Sequence, residues 1–166
     1  MAKTSNDELK TLLKTYDTQK GKDRAPDKEL AAEEAWVAKF VALRDKVIRP
    51  TMEELGKELQ KHGHDFNIVE KQFRRADNRA TPEEASIRID IYLSNERTRT
   101  VIGQDRRPHV ALATHHRSQM VQLFICDITS RGGVVSKVGD YPLERVDAAL
   151  IRDKFVALFK RLLGTT

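Results

Sequence analysis

Hydrophobic and polar residues alternate in residues 86–94, which is the pattern of a β-strand with one buried and one solvated face. Ile87, Ile89 and Ile91 lie on the hydrophobic side, whereas Arg88 and Asp90 lie on the polar side. Residues 120–128 are hydrophobic at both odd and even positions, as in a strand covered on both faces. The strands predicted from such patterns are Asp65–Arg74, Ala85–Asn95, His109–His116, Gln119–Thr129 and Gly133–Val138.

In the rest of the chain, hydrophobic residues mostly recur at the three- and four-residue intervals of an amphipathic helix. A short amphipathic helix is predicted near the N-terminus, and a polar stretch at residues 19–26 follows it as a linker. A second helical region covers residues 27–62, with a bend expected at Pro50 and a capping box at Thr51 and Glu54. The last helix, residues 147–163, has Asp147 as its expected N-cap.

The order of these elements predicts an α+β fold with two layers. No crossover helix separates the strands of residues 64–140, so an antiparallel five-stranded meander is favoured over a parallel sheet. The C-terminal helix packs on this sheet, and the isoleucine face of the second strand is the surface expected beneath it. Residues 1–26 form a separate N-terminal helix and linker, residues 27–166 form one domain, and the N-terminal helices serve as an extra layer or a dimerisation arm.

The hydrophobic stripe of residues 30–48 is wider than the seam of a two-stranded coiled coil. A helix with so broad an apolar face usually contacts two surfaces. One is its own sheet, and the other is a partner subunit or the first helix. We therefore predict a homodimer to which Trp36, Phe40 or Val47 contributes contacts.

The sequence also indicates the cellular location of the protein and the state of its cysteine. The N-terminus lacks the hydrophobic stretch of a signal peptide, and no hydrophobic run is long enough to cross a membrane, so a cytoplasmic location without membrane contact is expected. The one cysteine, Cys126, excludes an internal disulfide and is predicted to be a small buried hydrophobic residue.

Motifs for catalysis or cofactor binding are not found in the sequence. It has no glycine-rich phosphate loop, no dinucleotide-binding fingerprint and no nucleophile elbow. The histidines lack the spacing and the accompanying cysteine or carboxylate cluster of a metal site; they are His62, His64, His109, His115 and His116. We therefore expect no cofactor, no metal and no catalytic residue.

Arginine is unevenly distributed along the chain, whose net charge is +5. It accounts for 10 of the 12 basic residues in residues 64–140 but only 3 of the 13 in residues 1–63. Arginine suits planar, bidentate recognition of carboxylate or phosphate. Because successive loops of a meander alternate between its two ends, four arginines are predicted to meet at one end as an anion site. These are Arg74, Arg75, Arg79 and Arg117.

Three functions stay open from the sequence. The first is a non-enzymatic cytoplasmic interaction protein, acting through helix-mediated assembly with itself and with an unknown protein. The second is binding of nucleic acid or another polyanion through the arginines. This binding is expected to be weak, because acidic residues accompany the arginines and aromatic residues that could stack on bases are scarce. The third is a small-molecule binder or enzyme with a pocket between the sheet and the C-terminal helix.

Overall fold

The computed structural model describes residues 5–22, 27–76, 81–94, 99–101 and 104–164, with side chains for residues 7–18, 28–76, 81–94 and 107–164. The chain divides into two compact units, Met1–Glu34 and Ala35–Thr166. The helices are α1 (Ser5–Lys22), α2 (Asp27–Leu43), α3 (Arg49–Lys61) and α4 (Ala148–Leu162). A π-helical turn, Arg44–Ile48, joins α2 to α3, and a 3₁₀ turn, Leu143–Arg145, precedes α4.

Five strands form one antiparallel sheet, as the sequence predicts. They are β1 (Asp65–Lys71), β2 (Ser86–Tyr92), β5 (His109–His115), β6 (Met120–Cys126) and β7 (Val135–Tyr141). Their order in the sheet is β1-β2-β5-β6-β7, and every neighbouring pair is antiparallel. The α+β class and the meander are therefore confirmed.

A second, two-stranded sheet interrupts the meander between β2 and β5. It pairs β3 (Arg99–Val101) with β4 (Gln104–Arg106) in antiparallel register. No strand is predicted here from the sequence, because three-residue strands are too short to show a hydrophobic period.

Helices cover one face of the five-stranded sheet. α3 lies over β1 and β2, whereas α4 lies over β5 and β6. The isoleucine face of β2 is fully buried as expected, but α3 approaches it more closely than α4 does. The packing of α3 on the neighbouring strand β1 depends on Gly56, because a Cβ at that position would overlap the ring of Phe66.

The helical region changes its hydrogen bonding just before Pro50. Proline has no backbone N–H, so it cannot donate to the carbonyl group four residues earlier. The N–H of Arg49 instead donates to the carbonyl of Arg44, in the five-residue pattern of a π-helix. The capping box predicted at Thr51 is wrong: its hydroxyl donates to the Val47 carbonyl at 2.7 Å, within the helix.

The start of α4 agrees with the sequence. Asp147 is its N-cap, and the carboxylate accepts a hydrogen bond from the Leu150 N–H at 2.8 Å. Ile151, Phe155 and Leu158 are the buried residues of this helix and pack into the core beneath it.

Candidate interaction surface

An open, shallow groove runs along the outer side of α2 and the π-helical turn, opposite the 3₁₀ turn. Its volume is about 360 Å³. Apolar side chains form most of its walls, and charged side chains lie on its rim. The lining residues are Lys39, Ala42, Leu43, Lys46, Val47, Leu143 and Glu144.

Helical spacing explains why one side of this segment lines the groove. Residues 39, 42, 43, 46 and 47 follow the i, i+3, i+4, i+7, i+8 pattern of one helix face. The opposite side is anchored in the core, where Ile48 and Arg44 are buried. The Arg44 guanidinium donates to the Lys71 carbonyl at 3.3 Å, and its Nε lies 3.1 Å from Asp45 Oδ1.

The rim of the groove carries charges of both signs. Lys39 and Lys46 are exposed and lie seven residues apart, which is the spacing that puts two side chains on one side of a helix. Glu144, on the facing 3₁₀ turn, is the only carboxylate in the lining contributed by the described part of the chain. An apolar strip with lysines along one edge and a carboxylate on the other can meet a partner of the same composition.

The three predicted interface residues lie at different depths. Phe40 is fully buried in the core of its own chain, and Trp36 is nearly so. Val47 is half-buried and lines the groove. A contribution of these residues to a dimer contact stays a prediction. Of the three, Val47 is the one that a partner can reach on this surface.

The N-terminal unit has an exposed apolar stripe of its own. Leu9, Leu12, Leu13 and Tyr16 of α1 are each more than half exposed. Their i, i+3, i+4, i+7 spacing puts them on one face of the helix. An isolated helix of 18 residues gains little stability from such a face unless another surface covers it.

A polar cluster at one end of the sheet links the β1–β2 connection to β5. The Glu84 carboxylate accepts hydrogen bonds from the Thr114 hydroxyl at 2.7 Å and from His116 Nδ1 at 2.5 Å. The His116 backbone N–H lies 3.3 Å from both carboxylate oxygens. The His116 imidazole packs on the Phe73 ring at a centroid distance of 5.1 Å. This cluster is not predicted from the sequence, because no local spacing relates Glu84 to residues 30 and 32 positions away.

The same end of the sheet carries part of the predicted anion site, which stays a prediction. The backbone groups of Arg74 and Glu83 exchange two hydrogen bonds of 2.9 and 3.0 Å, and Glu84 then reaches His116, the neighbour of Arg117. Arg74, Arg75 and Arg117 are thus attached to one end of the sheet, whereas Arg79 lies outside the described residues. Glu83 and Glu84 lie within this group and reduce its positive potential.

Cys126 ends β6 in a buried position. Burial raises the pKa of its thiol, because the thiolate would lose its solvation. The thiol form is therefore favoured further, which agrees with the prediction of a small buried hydrophobic residue.

Two searches of the described part of the chain give negative findings. No three His, Cys, Asp or Glu side chains in it converge on a point that could hold a metal ion. None of its helices is both long enough and apolar enough to cross a membrane. Comparison of the chain with protein-family models, with curated proteins and with solved structures found no match.

Proposed function

We propose that the protein is a homodimeric interaction protein whose two copies meet along the outer face of α2 and the π-helical turn. The observation that carries this proposal is the groove, because apolar walls lie between lysines on one side and a carboxylate on the other. Exposed apolar strips with a polar rim are typical of protein interfaces.

A two-fold axis across this groove would match its charges. In such an interface each surface patch faces the same patch of the second copy. Lys39 and Lys46 of one copy then lie against Glu144 of the other, and Leu43, Val47 and Leu143 form the apolar centre. A stable interface buries roughly 1,200–2,000 Å² in total, so neighbouring side chains of α2 must join the contact.

The exposed stripe of α1 supports a role in protein association beyond the dimer. Its four large hydrophobic residues form a second apolar surface in the N-terminal unit. In our proposal this surface contacts a different protein, while α2 holds the two copies together. The cytoplasmic location expected from the sequence belongs to the same proposal.

The molecular mass in solution tests the dimer. We expect light scattering at micromolar concentration to give twice the chain mass of 19.0 kDa. The double variant Leu43→Asp, Val47→Asp should give the mass of one chain, because it places two charges in the apolar centre. Val156→Asp, on an exposed position of α4 that does not line the groove, is the matched control and should stay dimeric.

A charge exchange tests the arrangement more closely. Lys46→Glu alone and Glu144→Lys alone should each weaken the dimer, because each places like charges across the two-fold axis. The combined variant should shift the mass back toward that of the dimer, since it restores opposite charges between positions 46 and 144, although Lys39 then faces a lysine. A monomeric wild type contradicts the proposal, as does a dimer that only variants of Leu12 and Leu13 in α1 dissociate.

Weak binding of polyanions is the second candidate function. Its support is the Glu84–His116 contact, which attaches Arg74, Arg75 and Arg117 to one end of the sheet. Titration with a mixed-sequence oligonucleotide tests it: affinity should fall with salt, with a log–log slope near −0.9 per phosphate neutralised on duplex DNA. No binding at low salt would remove this candidate, as would binding unaffected by replacing the three arginines with glutamine.

A further inference from the structure

A second groove, of about 370 Å³, lies between α3 and α4. Its walls are mostly apolar, formed by Leu55 and Leu59 of α3 and by Phe155 and Phe159 of α4. The polar residues of the lining are Glu58, His62 and His64. The two phenylalanine rings lie 5.4 Å apart, with their planes tilted by 47°. A volume above about 300 Å³ and mostly apolar walls are typical of small-molecule sites.

Among the described residues that line this groove, Glu58 is the only acidic one. Its Oε2 accepts a hydrogen bond from Lys61 Nζ at 2.7 Å, which holds the pKa of the carboxyl below its ordinary value. Its Oε1 is 3.8 Å from His62 Nε2, beyond hydrogen-bond distance. The Lys61 and Glu58 side chains are 70% and 60% exposed, so this ion pair is weak and another cation can replace Lys61.

The end of α3 adds negative potential near Glu58. Gly63, with a φ of +82°, closes the helix: its N–H donates to the Gln60 carbonyl, and the His64 N–H donates to the Leu59 carbonyl. The backbone N–H of Ser94 donates to His64 Nδ1 at 3.2 Å and fixes the ring at the groove. The C-terminal end of a helix carries a partial negative charge, which favours cations.

We propose that this groove binds an organic ammonium ion with an aryl or alkyl body. The apolar body would lie between the leucines and the two phenylalanine rings. The ammonium group would donate to Glu58 Oε1 near the negative end of α3. Aromatic rings also attract cations through their faces, so the same walls suit the body and the charge. A carboxylate ligand would instead meet Glu58 and the carbonyl end of the helix.

Three ligands of similar shape and different charge separate these contributions. Calorimetric titration would compare 2-phenylethylammonium, 2-phenylethanol and 3-phenylpropanoate. We expect the ammonium ion to bind at least about tenfold more tightly than either of the others. Equal affinities, preference for the carboxylate or no binding at millimolar concentration would each overturn the proposal.

Two glutamates of α3 provide a matched pair of variants. Glu58→Gln should weaken binding of the ammonium ion by about threefold to fivefold, because the exposed ion pair is lost. Glu53→Gln is the control, since Glu53 is also ion-paired, with Arg49 at 3.0 Å, but does not line the groove. Equal weakening by both variants would overturn the assignment. Binding should persist in the Leu43→Asp, Val47→Asp variant, so this result is independent of the proposed dimer.

Discussion

The two faces of the five-stranded sheet are stabilised in different ways. On the face beneath α3 and α4, the central strands contribute side chains with almost no exposed surface, among them Ile89, Val110, Leu112 and Leu123. On the opposite face the same strands carry Arg88, Asp90 and His109. One face is thus stabilised by removing apolar surface from water, and the other by pairing polar groups.

The opposite face is less solvated than its sequence suggests. Asp90 is buried, and its carboxylate is held by Arg88: Nη2 donates to Oδ2 at 3.0 Å, while Nε lies 2.7 Å from Oδ1 without hydrogen-bond geometry. Nearby, the Arg107 guanidinium lies over the ring of Tyr92 at 3.8 Å. A polar position in an alternating strand can therefore be as constrained as an apolar one.

The largest expected effect comes from placing a charge on the helix-covered face. Ile89→Asp should lower the free energy of unfolding by more than about 4 kcal/mol, because it leaves a carboxylate without a partner in the core. Denaturant unfolding measures this change. Ser86→Asp, on the other face of the same strand and opposite Lys71, is the control and should change stability little. Similar losses in both variants would mean that the two faces do not differ as described.

A smaller effect on stability is expected on the opposite face, where two ion pairs should contribute unequally to the free energy of unfolding. The Arg88 and Lys137 side chains are equally exposed, at 41% and 42%, but their partners Asp90 and Asp140 are 11% and 44% exposed. Arg88→Met should cost about 2 kcal/mol, because it leaves a poorly solvated carboxylate unpaired.

Lys137→Met is the control for this comparison and should give no measurable change, because water solvates Asp140 once the lysine is removed. Thermal and denaturant unfolding of the two variants provide the measurement. Equal stability of the Arg88 and Lys137 variants would show that burial of the partner carboxylate does not matter here.

Sequence patterns predict the helix-covered face well because local periodicity determines it. The five strands, the helices and the N-cap at Asp147 all follow from spacing within a few residues. The Glu84–His116 contact and the grooves depend instead on residues that are distant in the chain and meet only after folding. The π-helical turn lies between these cases: Pro50 predicts an interruption, but not which carbonyl groups lose their usual donor.

The smallest expected effect is a dependence of stability on pH that originates at His109. Burial lowers the pKa of this imidazole, and the nearby Arg88 lowers it further, while the hydrogen bond between Nδ1 and the Arg107 carbonyl, 2.9 Å long, acts in the opposite direction. In the unfolded chain the group titrates near its ordinary pKa of about 6.5. Below that pH the unfolded chain therefore binds a proton that the folded chain resists, and stability falls as the pH falls.

Urea unfolding at pH 7.5 and pH 5.5 tests this linkage. The midpoint should decrease between the two pH values in the wild type, and the decrease should be smaller in His109→Gln, which has no imidazole to protonate at this position. His62→Gln is the matched control, because the His62 side chain is 72% exposed at the end of α3, and it should keep the wild-type pH dependence. If His109→Gln lost as much stability on acidification as the wild type, the polar face of the sheet would not be the source of the acid sensitivity.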